Sequence, residues 1–208
     1  MKTQKMTLSL LLTAALLAAC GPKVQVPPRL DLRAYQTIGF INFESRTEGN
    51  FDAYLNDRFL EEISFAQPGA DILELGPVDS VLAKVGYNTL DRDALRELGR
   101  EYGLDAIIVG TLDISNIKPH VHVLHLLRDV SVRAEVDAKI KARLIDVERG
   151  TTRWTAVARD RKNVGFLSAG AGRPFFLYAK NPDKAYGELV DVLIFKVTRD
   201  LRASYVRR

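Results

Sequence analysis

The chain has little of what disulfide scaffolds and most enzymes are made from. Among its 208 residues there is one cysteine, Cys20, one tryptophan, Trp154, and three histidines, all between positions 120 and 125. A lone cysteine excludes an internal disulfide, so the fold must rest on a buried core, which a chain of this length can build. No set of nucleophile, base and oxyanion donor is recognisable; no catalytic residue, enzymatic activity or cofactor is expected. Charge of one sign is also missing. Thirty basic and 26 acidic residues alternate along the chain, for a net charge of +4. Lys2 and Lys5 contribute to that figure and residues 1–19 hold no acid, so residues 20–208 carry +2. The pI of 9.2 comes without the basic clustering that marks a nucleic-acid binder, and nucleic acid is excluded as a partner. Past Cys20 no apolar run approaches the roughly 20 residues of a membrane-spanning helix. No internal repeat or long low-complexity tract occurs.

What is present begins at the N-terminus. Lys2 and Lys5 precede an apolar run from Leu8 to Ala19, which ends in the small residues before Cys20. A basic start, an apolar stretch and small residues at the cut describe a secretory signal. The tetrad Leu17-Ala18-Ala19-Cys20 resembles the bacterial lipobox. That resemblance implies a diacylglyceryl group on the Cys20 thiol, cleavage before Cys20 and acylation of the new amine, including palmitate-type chains. Two or more chains anchor a protein stably. Gly21 stands where an aspartate retains enteric lipoproteins in the inner membrane, so the resemblance favours the outer membrane, with the domain facing the periplasm. The expected division is a signal peptide over 1–19, a lipidated cysteine and Pro-containing tether over 20–33, and one α/β domain over 34–208. Pro27 and Pro28 favour extended backbone without internal hydrogen bonds, and residues 21–32 reach at most about 40 Å.

The domain reads as β-α-β-α-α-β-β-β-α. Residues 37–44 are β-branched and aromatic, as in a buried strand. Phe51, Leu55, Phe59 and Ile63 make one stripe of a helix that Asn50 is placed to cap. Residues 71–75 form a second strand. A short helix follows from Pro77 to Val85, and Asp91 caps another through Tyr102, with Gly103 suited to the left-handed position after it. Residues 106–112 form a buried strand. From Val130 to Leu144 apolar and polar residues alternate without exception, and Trp154, Ala156 and Ala158 resume the pattern after a turn at 148–151. Strict period two means a hairpin with one buried and one wet face. Pro182 opens a last helix whose stripe runs from Tyr186 to Leu201. The predicted architecture is an α/β sandwich of two or three layers with a mixed, largely antiparallel sheet.

Three segments carry a family resemblance: residues 38–43 with the helix after them, residues 98–111 (LGREYGLDAIIVGT), and residues 142–150 (ARLIDVERG) with Trp154. Together, over about Tyr35 to Leu201, they resemble the fold of the curli secretion lipoprotein CsgG and the N-terminal domain of TolB. Related outer-membrane lipoproteins include the Pel polysaccharide export lipoprotein and the activator of a peptidoglycan synthase. The resemblance implies a lipid-anchored binding or assembly component of export or envelope biogenesis. Its implied partners are other envelope proteins or an exported polymer, and it implies possible assembly into a homo-oligomeric ring. A regulator of a cell-wall synthase is one alternative; a metal-dependent hydrolase using His120, His122 and His125 is another. The long hairpin is committed to the domain's sheet and its outer side is charged, which argues against a curli-type barrel. The short tether argues against a synthase activator that spans the periplasm.

Two clusters invite a functional reading. His120, His122 and His125 are metal-ligand types, and three imidazoles hold zinc with an open position in some hydrolases. On a strand His120 and His122 share a side and His125 does not, so the simpler reading is a strand whose polar residues are His; metal is not expected. The Gly-rich stretch 165–173 lacks the Lys-Ser/Thr of a phosphate loop and reads as a mobile loop. After it, Phe175, Phe176 and Tyr178 either tuck under the last helix or form an exposed interaction patch.

Overall fold

A computed structural model describes residues 23–45, 52–115, 118–124, 129–170, 176–179 and 182–207, with side chains over 23–45, 52–115, 135–163 and 187–206. Ten strands are present among them: β1 (Lys23–Val26), β2 (Ile38–Ile41), β3 (Glu44–Ser45), β4 (Ile72–Gly76), β5 (Ala106–Ile114), β6 (Lys118–Leu124), β7 (Asp129–Asp146), β8 (Thr151–Gly170), β9 (Phe176–Ala179) and β10 (Ser204–Arg207). Four α-helices accompany them: α1 (Asp52–Ala66), α2 (Val78–Val85), α3 (Arg92–Tyr102) and α4 (Pro182–Val197).

The main sheet runs β4-β2-β5-β7-β8-β9, with β3 beside β5 and β6 beside β7. β2 pairs parallel with β4 and β5; every pairing of β5, β6, β8 and β9 within the hairpin region is antiparallel. The fold is therefore the expected α/β sandwich with a mixed, largely antiparallel sheet. Its layer count changes across the sheet. At the β4-β2-β5 half, α1 and α4 cover one side and α2 and α3 the other, giving three layers. Over residues 135–144 of β7 and 154–163 of β8, described residues cover only the first side, giving two.

Strand alternation explains the two cores. Ile38, Phe40, Ala106, Ile108, Leu112, Ala138, Ile140, Ala142 and Leu144 point to α1 and α4. Ile41, Ile107, Val109, Ile145 and Val147 point to α2 and α3. The first core centres on three phenylalanines, with Phe43 and Phe59 ring centroids 4.5 Å apart and Phe40 at 5.5 and 5.7 Å from them. Their tilted and offset packing adds to what burial alone contributes. Gly110 makes room for it: a Cβ there would stand 2.6 Å from the Phe43 ring and 2.6 Å from the Lys141 carbonyl. Asn56, buried on α1, accepts from the Phe43 N–H at 2.8 Å and donates to the Asp52 carbonyl at 2.7 Å, pinning the strand end to the helix.

Local signals place the helices as expected. Asp91 caps α3, its Oδ1 accepting from the N–H groups of Asp93 and Ala94. Gly103 follows in the left-handed region at φ 64°.

Four expectations change. Residues 21–32, expected to be an unpaired tether, are structured from Lys23 onward: β1 pairs antiparallel with β10, and Leu32 is fully buried. The boundary at 33/34 thus falls inside folded chain. The hairpin is longer than expected, because β8 continues through Gly165–Gly170, read as loop, in register with Asp129–Ala134. Strands β6 and β9 flank that extension. Finally, α4 ends at Val197; the Thr198 hydroxyl donates back to the Ile194 carbonyl at 2.7 Å, and Leu201 is buried in a single 3-10 turn instead. Asn50 and Phe51 lie outside the described residues. Among the described residues no helix is long and apolar enough to cross a membrane.

Candidate interaction face and terminal ribbon

Beyond the helices α2 and α3 no described residue covers this side of the sheet. Alternation along β7 and β8 sends Asp137, Lys139, Lys141 and Arg143 there, with Thr155, Val157, Arg159 and Arg161, and β5 adds Thr111 and Asp113. Arg161 is held by Asp137 at 2.6 Å and Glu135 at 3.5 Å, and the Asp137 carboxylate raises the guanidinium's already high pKa. The other cations differ. Lys139, Lys141, Arg143 and Arg159 form no ion pair among the described residues. Lys139 stands directly opposite Arg159 across the ladder. On its other side Lys139 faces Asp113 of β5. A cleft of about 690 Å³ opens here, lined by Asp113, Ser115, Asp137, Lys139, Arg159 and Arg161. A second, of about 460 Å³, includes Lys141, Arg143 and Asn42 under the α2 end. Val157, half exposed, adds an apolar contact point.

The covered side keeps its charges busy at its margin. Lys196 of α4 reaches Asp160 at 3.1 Å, and Lys162 reaches Glu188 at 2.8 Å. Burial would raise the Asp160 pKa, but the Arg161 N–H and the Lys196 ammonium outweigh it and hold the carboxyl below its ordinary value.

The histidines and aromatics fall at the far end of the hairpin. Cross-strand register gives two rows, His120–Arg133–Phe166–Tyr178 and His122–Ser131–Ser168–Phe176. His120 and His122 share a row parity on β6, and Phe176 and Tyr178 share it on β9, three strand spacings away, or roughly 14 Å. The register thus places the histidines and the aromatics in the same two rows, on strands three apart. Phe176 and Tyr178 lie in a strand, β9. Cys20, His125 and Phe175 lie outside the described residues. Among the described residues no three His, Cys, Asp or Glu side chains group as metal ligands.

A site that sequence reasoning missed lies where the two termini meet. Gln67, at the end of α1 and 3% exposed, accepts from the Leu32 N–H at 2.6 Å. Its amide donates to the Leu30 carbonyl and, at 3.0 Å, to the Leu201 carbonyl. One side chain so joins both terminal segments to the core. The N–H groups of Arg29 and Leu30 add bonds to the Asp200 carbonyl at 2.9 and 3.2 Å. Arg202 stacks 3.9 Å over the Phe195 ring and sits 3.0 Å from Glu62, an ion pair without hydrogen-bond alignment at Nε. From this clamp β1 and β10 project as a separate two-stranded ribbon.

No family model matches the chain, and no curated protein matches it. Solved structures are similar to it at low identity. A PelC dodecamer from Paraburkholderia phytofirmans is 14% identical, over 88% of this chain and 99% of that chain, with a TM-score of 0.47. The lipoprotein GNA1162 from Neisseria meningitidis is 16% identical over 61% of this chain and 83% of that chain, at 0.39. The LpoB C-terminal domain from Escherichia coli is 13% identical over 60% of this chain and 81% of that chain, at 0.37.

Proposed function

We propose that the protein is a lipid-anchored envelope component that holds a binding face at a membrane surface. The observation that carries this reading is positional. The lipobox-like cysteine lies three residues before the first strand, so an acyl group on Cys20 would bring a folded domain to within about 11 Å of the bilayer. The outer membrane, by the Gly21 argument, is the proposed site, with the domain on the periplasmic side. The work of such a protein is to position, and no catalytic role is assigned to it.

The sheet face beyond α2 and α3 is the proposed binding element. Its cations, which form no ion pair among the described residues, suit an anionic partner: an acidic patch of another envelope protein, an acidic exported polymer, or the acidic α1 surface of a second copy. Expression of the full chain in a Gram-negative host with an alkyne fatty acid tests the anchor. Label on the membrane-bound protein, lost together with membrane association in Cys20→Ser, is the expected result; an unlabelled wild type contradicts it. Light scattering of the soluble domain tests self-assembly. A strictly monomeric species at high concentration removes the second copy as partner.

A further inference from the structure

The β1–β10 ribbon stands apart from the eight-stranded sheet. Among the described residues no third strand pairs with it; a two-stranded unit is marginal in water, yet this one keeps apolar residues outward. Val26 is 38%, Val206 48% and Tyr205 66% exposed. Register puts Val24 opposite Val206 and Val26 opposite Ser204 on one side, with Gln25 opposite Tyr205 and Lys23 opposite Arg207 on the other. The ribbon's attached end is the Val26/Ser204 end, next to the Gln67 clamp. Its free end, at Lys23, is the end that leads to Cys20.

We infer that this ribbon seats in the headgroup layer of the bilayer that holds Cys20. The inference rests on the lipid-anchor reading above, which fixes the occupant. Gly21 and Pro22 are the only residues between Cys20 and Lys23, and three steps of extended chain span no more than about 11 Å. The ribbon itself is about 13 Å long at 3.3 Å per residue. An anchored chain therefore cannot hold the ribbon far from lipid. Its chemistry fits that depth. Tyrosine prefers the water–hydrocarbon boundary, a lysine meets phosphate, and the valines take the acyl margin. The unpaired outer edges of the two strands forbid deeper entry, because backbone groups in hydrocarbon need partners. Lipid chains supply the affinity; the ribbon supplies orientation. Since Gln67 fastens it to α1, seating the ribbon fixes how the domain, and with it the cationic sheet face, is turned relative to the membrane.

The test supplies the anchor chemically. Among the described residues, all buried residues of both cores lie between Leu32 and Leu201, so residues 20–208 keep the fold. Their single thiol is coupled to a maleimide phosphatidylethanolamine in vesicles of phosphatidylethanolamine and phosphatidylglycerol, 3:1. A Tyr205→Trp variant reports depth through quenching by headgroup-spin-labelled lipid, against the parent with Trp154 alone. The expected result is quenching of the indole at position 205 at least threefold above the parent, falling to the parent's level in Val26→Asp/Val206→Asp of unchanged circular dichroism. An indole at 205 that is unquenched by lipid and open to acrylamide on anchored vesicles overturns the inference. So does protection that appears without vesicles and grows with protein concentration, which would make a second copy the occupant. Mass analysis of native Cys20 tests the anchor separately. A bare thiol there would sink the anchor reading while the coupled vesicles still report the ribbon's own behaviour.

Discussion

Near the turn at 147–150 the β7–β8 hairpin is backed by α1 and α4 on one side and closed by α3 on the other, with Leu144 and Ile145 both buried. Asp146 pairs with Arg153 at 2.9 Å there, and the Trp154 indole donates to Asp200 at 3.4 Å. Toward Asp129 and Gly170, roughly 55 Å further along, the same two strands are flanked by β6 and β9. One parity of register positions in that extension is wholly apolar (Val121, Val123, Val130, Val132, Leu167, Ala169, Leu177), and the other carries His, Arg, Phe and Tyr. The contrast separates two ways of specifying a strand. At the turn, burial against helices distant in sequence fixes the register; in the extension, pairing with neighbouring strands does.

Breaking the covered end gives the largest effect. Phe59→Ala removes the ring that touches both Phe40 and Phe43 and is expected to cost about 3–5 kcal/mol in denaturant unfolding. In native-state hydrogen exchange of the unaltered chain, β6 and β9 amides open by local fluctuation well before those of β5; equal protection would erase the comparison. Gln67→Met keeps the volume but leaves the Leu32 N–H and two carbonyls without partners, at about 1–3 kcal/mol for such groups. Its exchange signature is confined to β1 and β10, away from the hairpin. Asp91→Ala costs about 1 kcal/mol through loss of the α3 cap, read as a shift in the unfolding midpoint at constant slope.

The smallest effect is one of pH. Burial pushes the Asp146 carboxyl up, but the Arg149 N–H and the Arg153 guanidinium outweigh it, and the net pKa lies below the ordinary value. The unfolded chain therefore takes up that proton first. The contribution is complete above the unfolded pKa, about 3.9, and disappears as pH falls through the folded value. Asp146→Asn lowers stability at neutral pH by up to about 1 kcal/mol and flattens the acid limb, so that the difference from the unaltered chain vanishes as pH falls through the folded value.

Much of the covered half was legible in the sequence because its signals are local. Alternation from Val130 to Leu144, the Leu55-Phe59-Ile63 stripe and the Asp91 and Gly103 caps each announce an element within a few residues. The ribbon was not legible. Lys23-Val24-Gln25-Val26 is followed by two prolines, and its partner lies almost the whole chain away. Gln67 gave no signal, since a polar residue after a helix ordinarily faces water. Gly165–Gly170 hid a strand behind loop composition, because the long partner β7 supplies the register that small residues cannot. The cationic sheet face was half visible: period two showed a charged side, but only the fold shows which cations form no ion pair among the described residues. Cys20 was read from the lipobox pattern alone.

The central claim is that Cys20 carries the chain to a membrane, with the domain held close behind it. Mass spectrometry of the N-terminal peptide from membrane-derived native protein tests it directly. The account predicts a chain that begins at Cys20 and bears the mass of a diacylglyceryl thioether and an acylated amine. A free thiol, or an intact leader from Met1, would contradict it.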